Sequence, residues 1–93
     1  LTDKEIVFDS GFGDAAFAGE ADVEARISRT LDPLLTDILR FWRTGVHSNL
    51  IEIVEKVIIK RALQEVNGNQ VQASRLLGIS RNTLRHRIEK YRL

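Results

Sequence analysis

One side of the segment 81–91 carries four polar side chains at helical spacing, namely Arg81, Asn82, Arg85 and His86. An arginine can donate two hydrogen bonds to guanine, and an asparagine can pair with adenine, in a major groove wide enough to admit a helix. Residues near the start of such a helix are the ones that usually reach base edges. We therefore expect these four residues to read bases in double-stranded DNA.

A second set of polar and basic residues lies at the ends and flanks of the same region: Asn69, Ser80, Thr83, Arg87 and Lys90. Phosphate contacts hold a protein in register on the duplex without specifying sequence. The backbone N–H groups at a helix N-terminus can bind one more phosphate. We expect these five residues to contact the DNA backbone.

The segment 69–91 has the layout of two short helices joined by a tight turn. Asn69 can cap the first helix, with Gln72 as its reciprocal partner. Gly78 suits the left-handed conformation that the turn requires, and Ser80 can cap the second helix. The inward side of the two helices should hold Val71, Ala73, Leu76, Leu77, Leu84, Ile88 and Tyr91, with Ile79 between the helices. The pattern predicts a helix-turn-helix.

Two longer helices are expected before it. Thr30 is a suitable N-cap, and Pro33 would lie in the first turn of a helix over residues 31–43. Asn49 and Glu52 resemble a capping box that opens a helix over residues 49–66. Asn67-Gly68 should end that helix. The sequence thus predicts an all-α protomer of four helices.

The helix predicted over residues 49–66 is apolar well around its circumference. One small domain cannot cover so wide an apolar surface from one side, and each large apolar side chain that is buried contributes about 1.5–3 kcal/mol. A second copy of the chain is the expected cover, which gives an intertwined homodimer. The expected interface residues are Leu35, Ile38, Trp42, Leu50, Val54, Val57 and Ile58.

Charge divides the chain unevenly. Residues 1–28 carry seven acidic and two basic side chains, whereas residues 29–93 carry twelve basic and six acidic ones. We expect residues 1–28 to be a flexible acidic linker or tail, with a short β-prone piece at 5–8 and a hairpin arm as the alternative. Residues 29–93 would form the dimerisation and DNA-binding domain, because a basic half favours a polyanionic partner.

Other classes of function find little support in the residues. Gly11, Gly13 and Ala16 superficially fit a dinucleotide fingerprint, but that motif needs a βαβ unit, and the sequence that follows is helical. The chain has no cysteine, and its two histidines lack metal-binding spacing. No apolar run reaches the ~20 residues of a membrane span. We expect no catalysis, no cofactor, no metal, no small-molecule ligand and no membrane contact, and a cytoplasmic, nucleoid-associated location. A helical interaction module without DNA affinity is the rival reading.

The segment GNQVQASRLLGISRNTLRHRIEKY resembles the C-terminal module of the factor for inversion stimulation (Fis). It is at least as similar to the DNA-binding tails of nitrogen-regulatory-type bacterial enhancer-binding activators, for which GISRNTL and EKVIIKRAL are typical. The similarity covers about residues 50–93. It implies a four-helix protomer that dimerises through its first two helices and presents two helix-turn-helix units.

The resemblance also implies roles for single residues. Positions that contact DNA in the family are occupied here by Asn69, Ser80, Arg81, Thr83, Arg85 and Arg87, while His86 stands where lysine is common. In the activators, the module anchors a sigma-54-dependent ATPase at enhancer sites. This chain contains no GxxxxGK phosphate loop, so an ATPase and any receiver domain would lie N-terminal to Leu1. A free-standing nucleoid protein that bends DNA is the alternative.

Overall fold

The computed structural model describes residues 17–93, and these form four helices and no strand. The helices are α1 (Glu20–Trp42), α2 (Val46–Glu65), α3 (Gln70–Leu77) and α4 (Arg81–Tyr91). The all-α prediction with four helices is confirmed. The β-prone piece at 5–8 and the motif at 11–16 lie outside the described residues.

The described part of the chain divides into two compact units, residues 17–43 and residues 44–93. In the first unit, α1 begins at Glu20, so the prediction of a helix start with Thr30 as N-cap is wrong. Thr30 lies within the helix, where its hydroxyl donates to the Arg26 carbonyl over 2.8 Å. Residues 20–28, which the sequence assigned to the tail, are therefore helical.

Acidic residues explain the early start of α1. Glu20 and Asp22 lie in the first turn, where negative charge interacts favourably with the helix dipole. Asp22 also accepts a hydrogen bond from the Ala18 amide at 3.1 Å and pairs with Arg26 at 3.6 Å. Pro33 consequently falls inside α1 instead of in its first turn, at a position where a proline removes one backbone hydrogen bond.

The second unit opens with Gly45 in the left-handed conformation, at φ +72°. α2 starts directly after it, and the Asn49 amide donates to the Gly45 carbonyl over 3.1 Å. The predicted capping box at Asn49 and Glu52 is therefore wrong, since Asn49 already lies inside the first turn. The predicted end of α2 is confirmed: Gly68 has φ +82°, and its amide donates to the Leu63 carbonyl over 2.8 Å.

The buried apolar residues of the second unit are Ile59 and Ala62 of α2, Ala73 of α3 and Leu84 of α4, and Ile59, Ala73 and Leu84 form one contiguous cluster. Partly buried apolar residues pack around these three, namely Leu63, Val66, Leu77, Ile79, Ile88 and Tyr91. Ala73 is fully buried, and its small side chain lets the helices approach closely. None of the helices in the described part of the chain is both long enough and apolar enough to span a bilayer.

Candidate nucleic-acid interface

The first helix of the pair, α3, begins at the predicted cap. The Asn69 side chain accepts a hydrogen bond from the Gln72 amide at 3.1 Å, which confirms Asn69 as the N-cap. The reciprocal half of the box is absent among the described residues, because the Asn69 amide donates to the Val66 carbonyl over 3.0 Å. The end of α2 thus supplies the acceptor that Gln72 was expected to provide.

The turn depends on Gly78, which has φ +74°. The amides of Gly78 and Ile79 both donate to the Ser74 carbonyl, over 2.9 and 3.1 Å. These two hydrogen bonds end α3 at its last turn. Apart from Gly78 and its two chain neighbours, no residue of the described part of the chain has an atom within 4 Å of where a Cβ on Gly78 would be. The requirement for glycine is therefore one of backbone conformation and not of space.

Ser80 caps the N-terminal end of α4. Its hydroxyl oxygen accepts from the Thr83 amide at 3.0 Å, and its hydroxyl donates to Thr83 Oγ1 over 2.9 Å. The prediction that Ser80 is an N-cap is confirmed. Ser80 and Thr83 are thereby held together at the helix end that has unpaired backbone N–H groups.

The four residues expected to read bases are all exposed: Arg81, Asn82, Arg85 and His86. Leu84 is fully buried, so α4 has one packed side and one open side. Arg85 Nη2 donates to Asn82 Oδ1 over 3.2 Å, so the guanidinium group of Arg85 lies beside the side-chain amide of Asn82. Within residues 17–93, no carboxylate pairs with Arg81 or Arg85.

Two of the five residues expected to contact phosphate are paired with acidic residues of α2. Arg87 Nε contacts the two carboxylate oxygens of Glu55 at 3.1 and 3.2 Å. Lys90 Nζ lies 3.0 Å from Glu52 Oε2. Counting basic residues in the sequence therefore overstates the positive charge that α4 leaves free for a polyanion.

Sequence reasoning missed Glu55, which also accepts a hydrogen bond from the Tyr91 hydroxyl. This hydrogen bond and the adjacent Arg87 guanidinium hold the pKa of Glu55 below its ordinary value, against the opposing effect of burial. The same contact with Glu55 raises the pKa of Tyr91 to about 12. One signal was available: Glu55 lies one helical turn before the buried Ile59, on the side of α2 that faces the core.

The residues expected in a dimer interface lie on both units and are only partly covered. On α1, Leu35, Ile38 and Trp42 are half-buried. On α2, Leu50 and Val54 are half-buried, whereas Val57 and Ile58 are 60% and 49% exposed. At 3.6 residues per turn, Val57 points about 160° away from the buried Ile59, so α2 has apolar surface on the side opposite its core face.

Residues 17–93 contain no cluster of three or more side chains that could hold a metal ion. What the described residues do form is a capped pair of helices joined by a glycine turn, with one helix open and cationic on its outer side. These features define a helix-turn-helix protein.

Comparison with known proteins agrees with this class. The family model described as "Bacterial regulatory protein, Fis family" matches residues 50–91. A putative Fis-like DNA-binding protein of Neisseria meningitidis serogroup A is 31% identical over 72 residues, which is 77% of this chain and 91% of that protein. The chain therefore belongs to the Fis family of bacterial regulatory proteins.

Two further relatives differ in how much of them this chain covers. The DNA-binding transcriptional regulator NtrC of Azospirillum brasilense is 41% identical over 44 residues, which is 47% of this chain but 9% of that protein. A putative Fis-like DNA-binding protein of Pseudomonas aeruginosa is 38% identical over 50 residues, which is 54% of this chain and 48% of that protein. No solved structure gave a significant match.

Proposed function

We propose that this chain binds double-stranded DNA sequence-specifically by placing α4 in the major groove. The observation that carries the proposal is the two-sidedness of α4: Leu84 is fully buried, while Arg81, Asn82, Arg85 and His86 are exposed. The names of its relatives, Fis-like DNA-binding proteins and NtrC, support the same function.

The geometry supports a division of roles along the site. The four exposed residues of α4 would contact base edges, where arginine and asparagine offer paired hydrogen bonds. Asn69, Ser80 and Thr83 lie at the N-terminal ends of α3 and α4 and would contact phosphate, together with the backbone N–H groups there. Lys90 would join them, because its pair with Glu52 is about half exposed, at 51% and 57%, and a pair so exposed exchanges partners at little cost.

We further propose that the active form is an intertwined homodimer. The support is the apolar face of α2, where Ile51, Ile53, Val57 and Ile58 are each about half exposed or more. Beside it lies an apolar groove of about 290 Å³ between α2 and the residues Leu77 and Ile79. A second copy would cover both and would place its α4 one helical turn of DNA, about 34 Å, from the first.

In the cell, we propose, the chain is the DNA-binding domain of a sigma-54-dependent, response-regulator-type activator, and anchors it at enhancer sites in the bacterial nucleoid. The local similarity to NtrC supports this. A free-standing Fis-like architectural protein is the second candidate, favoured by the alignment that spans 91% of the Neisseria relative. The intact mass of the native gene product separates the two.

Selection of binding sites from a random duplex library tests DNA binding directly. An enriched two-fold palindrome that outcompetes random DNA at physiological salt would establish a site-specific dimeric regulator. Steeply salt-dependent binding without an enriched motif would favour the architectural role, because binding that depends only on phosphate contacts weakens as the salt concentration rises. Failure of this chain to bind any duplex would overturn the proposal.

A further inference from the structure

Glu55 of α2 holds two residues of α4 at once. Its carboxylate contacts Arg87 Nε through both oxygens and accepts from the Tyr91 hydroxyl. The side chains of Glu55 and Arg87 are only 37% and 35% exposed, so water competes less for this pair than for an ion pair fully on the surface.

The geometry matters because Arg87 and Tyr91 lie one helical turn apart on α4. Two directional contacts at successive turns restrain both the rotation of a helix about its axis and its position along that axis. The apolar contacts of Leu84 and Ile88 are not directional and restrain rotation less sharply. Rotation of α4 would redirect Arg81 and Arg85, the residues proposed to reach base edges.

We propose that Glu55 is a positioning residue for the recognition helix, with Arg87 as its internal partner and not a phosphate contact. This inference rests on the proposed function, since positioning has a consequence only if α4 reads DNA. It assigns to Arg87 a different role from the one expected from sequence.

The opposite reading is that Glu55 only neutralises Arg87. In that case, removal of the carboxylate would free a cation for phosphate, and the affinity for every duplex would rise. The positioning role predicts that E55Q lowers the preference for a selected site, whereas simple neutralisation predicts an unchanged preference, so this preference is the quantity to measure.

The experiment compares wild-type chain with E55Q, R87Q and the double variant E55Q/R87Q. Affinities for the selected duplex and for a random duplex are measured across salt concentrations, at a temperature where circular dichroism shows every variant folded. Glu65→Gln is the matched control, because Glu65 is also on α2 and its 2.9 Å pair with Arg61 stays within that helix. The ratio of the two affinities cancels the general gain from losing a negative charge.

We expect E55Q and R87Q each to lower this ratio about tenfold, a change equivalent to about 1.4 kcal/mol, and E65Q to leave it unchanged. In the E55Q background, R87Q should have little further effect, because the two residues act as one unit. The salt slope on random duplex should be the same for R87Q as for wild type, since no phosphate contact is lost.

Two results would overturn the inference. One is a ratio that E55Q leaves unchanged, including the case in which the affinity for both duplexes rises equally. The other is a salt slope that R87Q reduces by about 0.9, the amount per phosphate contact. If the wild-type chain bound no duplex, the proposed function would fail and the inference with it. If it bound selectively and E55Q did so equally well, only the inference would fail.

Discussion

Arg85 and Asn82 share a hydrogen bond of 3.2 Å on the open side of α4, so each orients the other before any DNA is present. Substituting Arg85 with alanine should cost about 1–3 kcal/mol of binding free energy and relax the preference at one base position. Competition binding against duplexes altered one position at a time measures this. Equal weakening on every duplex would make Arg85 a phosphate contact instead.

Gly78 allows a second prediction for a single residue. Gly78→Ala should destabilise the chain by about 1–2 kcal/mol, because a side chain at positive φ is strained. The strain is local, since the position is otherwise open. Gly78→Asn is the matched variant and should recover part of the loss, as asparagine tolerates this conformation. Urea unfolding measures both, and equal stability of the two variants would contradict the explanation.

Single residues could be predicted from sequence when their contacts are with residues nearby in the chain. Asn69, Gly78 and Ser80 act on amides or carbonyls within a few residues of themselves, and all three predictions were confirmed. Glu55 was missed because its partners are 32 and 36 residues away, and no local pattern links them. Arg87 was assigned to phosphate from its charge alone, without knowledge of that carboxylate.

Among the elements, the bounds of both helices of the helix-turn-helix were predicted, but Leu76, expected to face inward, is 61% exposed. For the two longer helices the ends were predicted and the starts were not. Thr30 and Asn49 have side chains suited to capping, but both lie inside helices. α1 is extended by acidic residues at its start. α2 starts directly after Gly45, its N-cap, which has no side chain for a capping pattern to include. Capping patterns identify helix starts that are real, but the same residue types also occur within helices.

The link between α2 and α4 predicts how the stability of the second unit changes with pH. Glu55 raises the pKa of Tyr91 from 10.0 to about 12. The contribution of their hydrogen bond to the free energy of unfolding is therefore complete below pH 10 and is lost as the pH rises toward 12. The pKa of Glu55 is lowered from 4.5. The contribution of its carboxylate to the free energy of unfolding is therefore complete above pH 4.5 and is lost as the pH falls through the lowered pKa.

Tyr91→Phe tests the alkaline side. The difference in unfolding free energy between wild type and this variant should be constant from pH 4.5 to pH 10.0, between the ordinary pKa values of Glu55 and Tyr91, and should shrink above pH 10.0. Taking the difference removes the effect of the other titrating groups. Tyr91 is the only tyrosine of the chain, so ultraviolet absorbance of the phenolate reports its pKa directly. An ordinary pKa in the native state would contradict the hydrogen bond to Glu55.

At the scale of the whole molecule, the proposed homodimer predicts a change in oligomeric state that the stability of a single protomer would not predict. Ile58→Asp should give a monomer in light scattering, because a charge would be buried in the apolar face of α2. Affinity for a palindromic site should fall about 100-fold or more as the second helix-turn-helix is lost. Ser48→Asp, which adds the same charge at an exposed position of α2 about 180° around the helix from Val57, should stay dimeric. A dimeric Ile58→Asp that still binds tightly would overturn the packing proposed here.

The order of α2, α3 and α4 along the chain also has a kinetic consequence. Contacts between helices that are neighbours in sequence form early, and small helical domains fold within about microseconds to milliseconds. The bridge from Glu55 to Arg87 and Tyr91 closes a longer loop and should form after the folding barrier. Its removal should then accelerate unfolding and leave the refolding rate unchanged. The contact proposed to orient α4 would thereby also set the lifetime of the folded state.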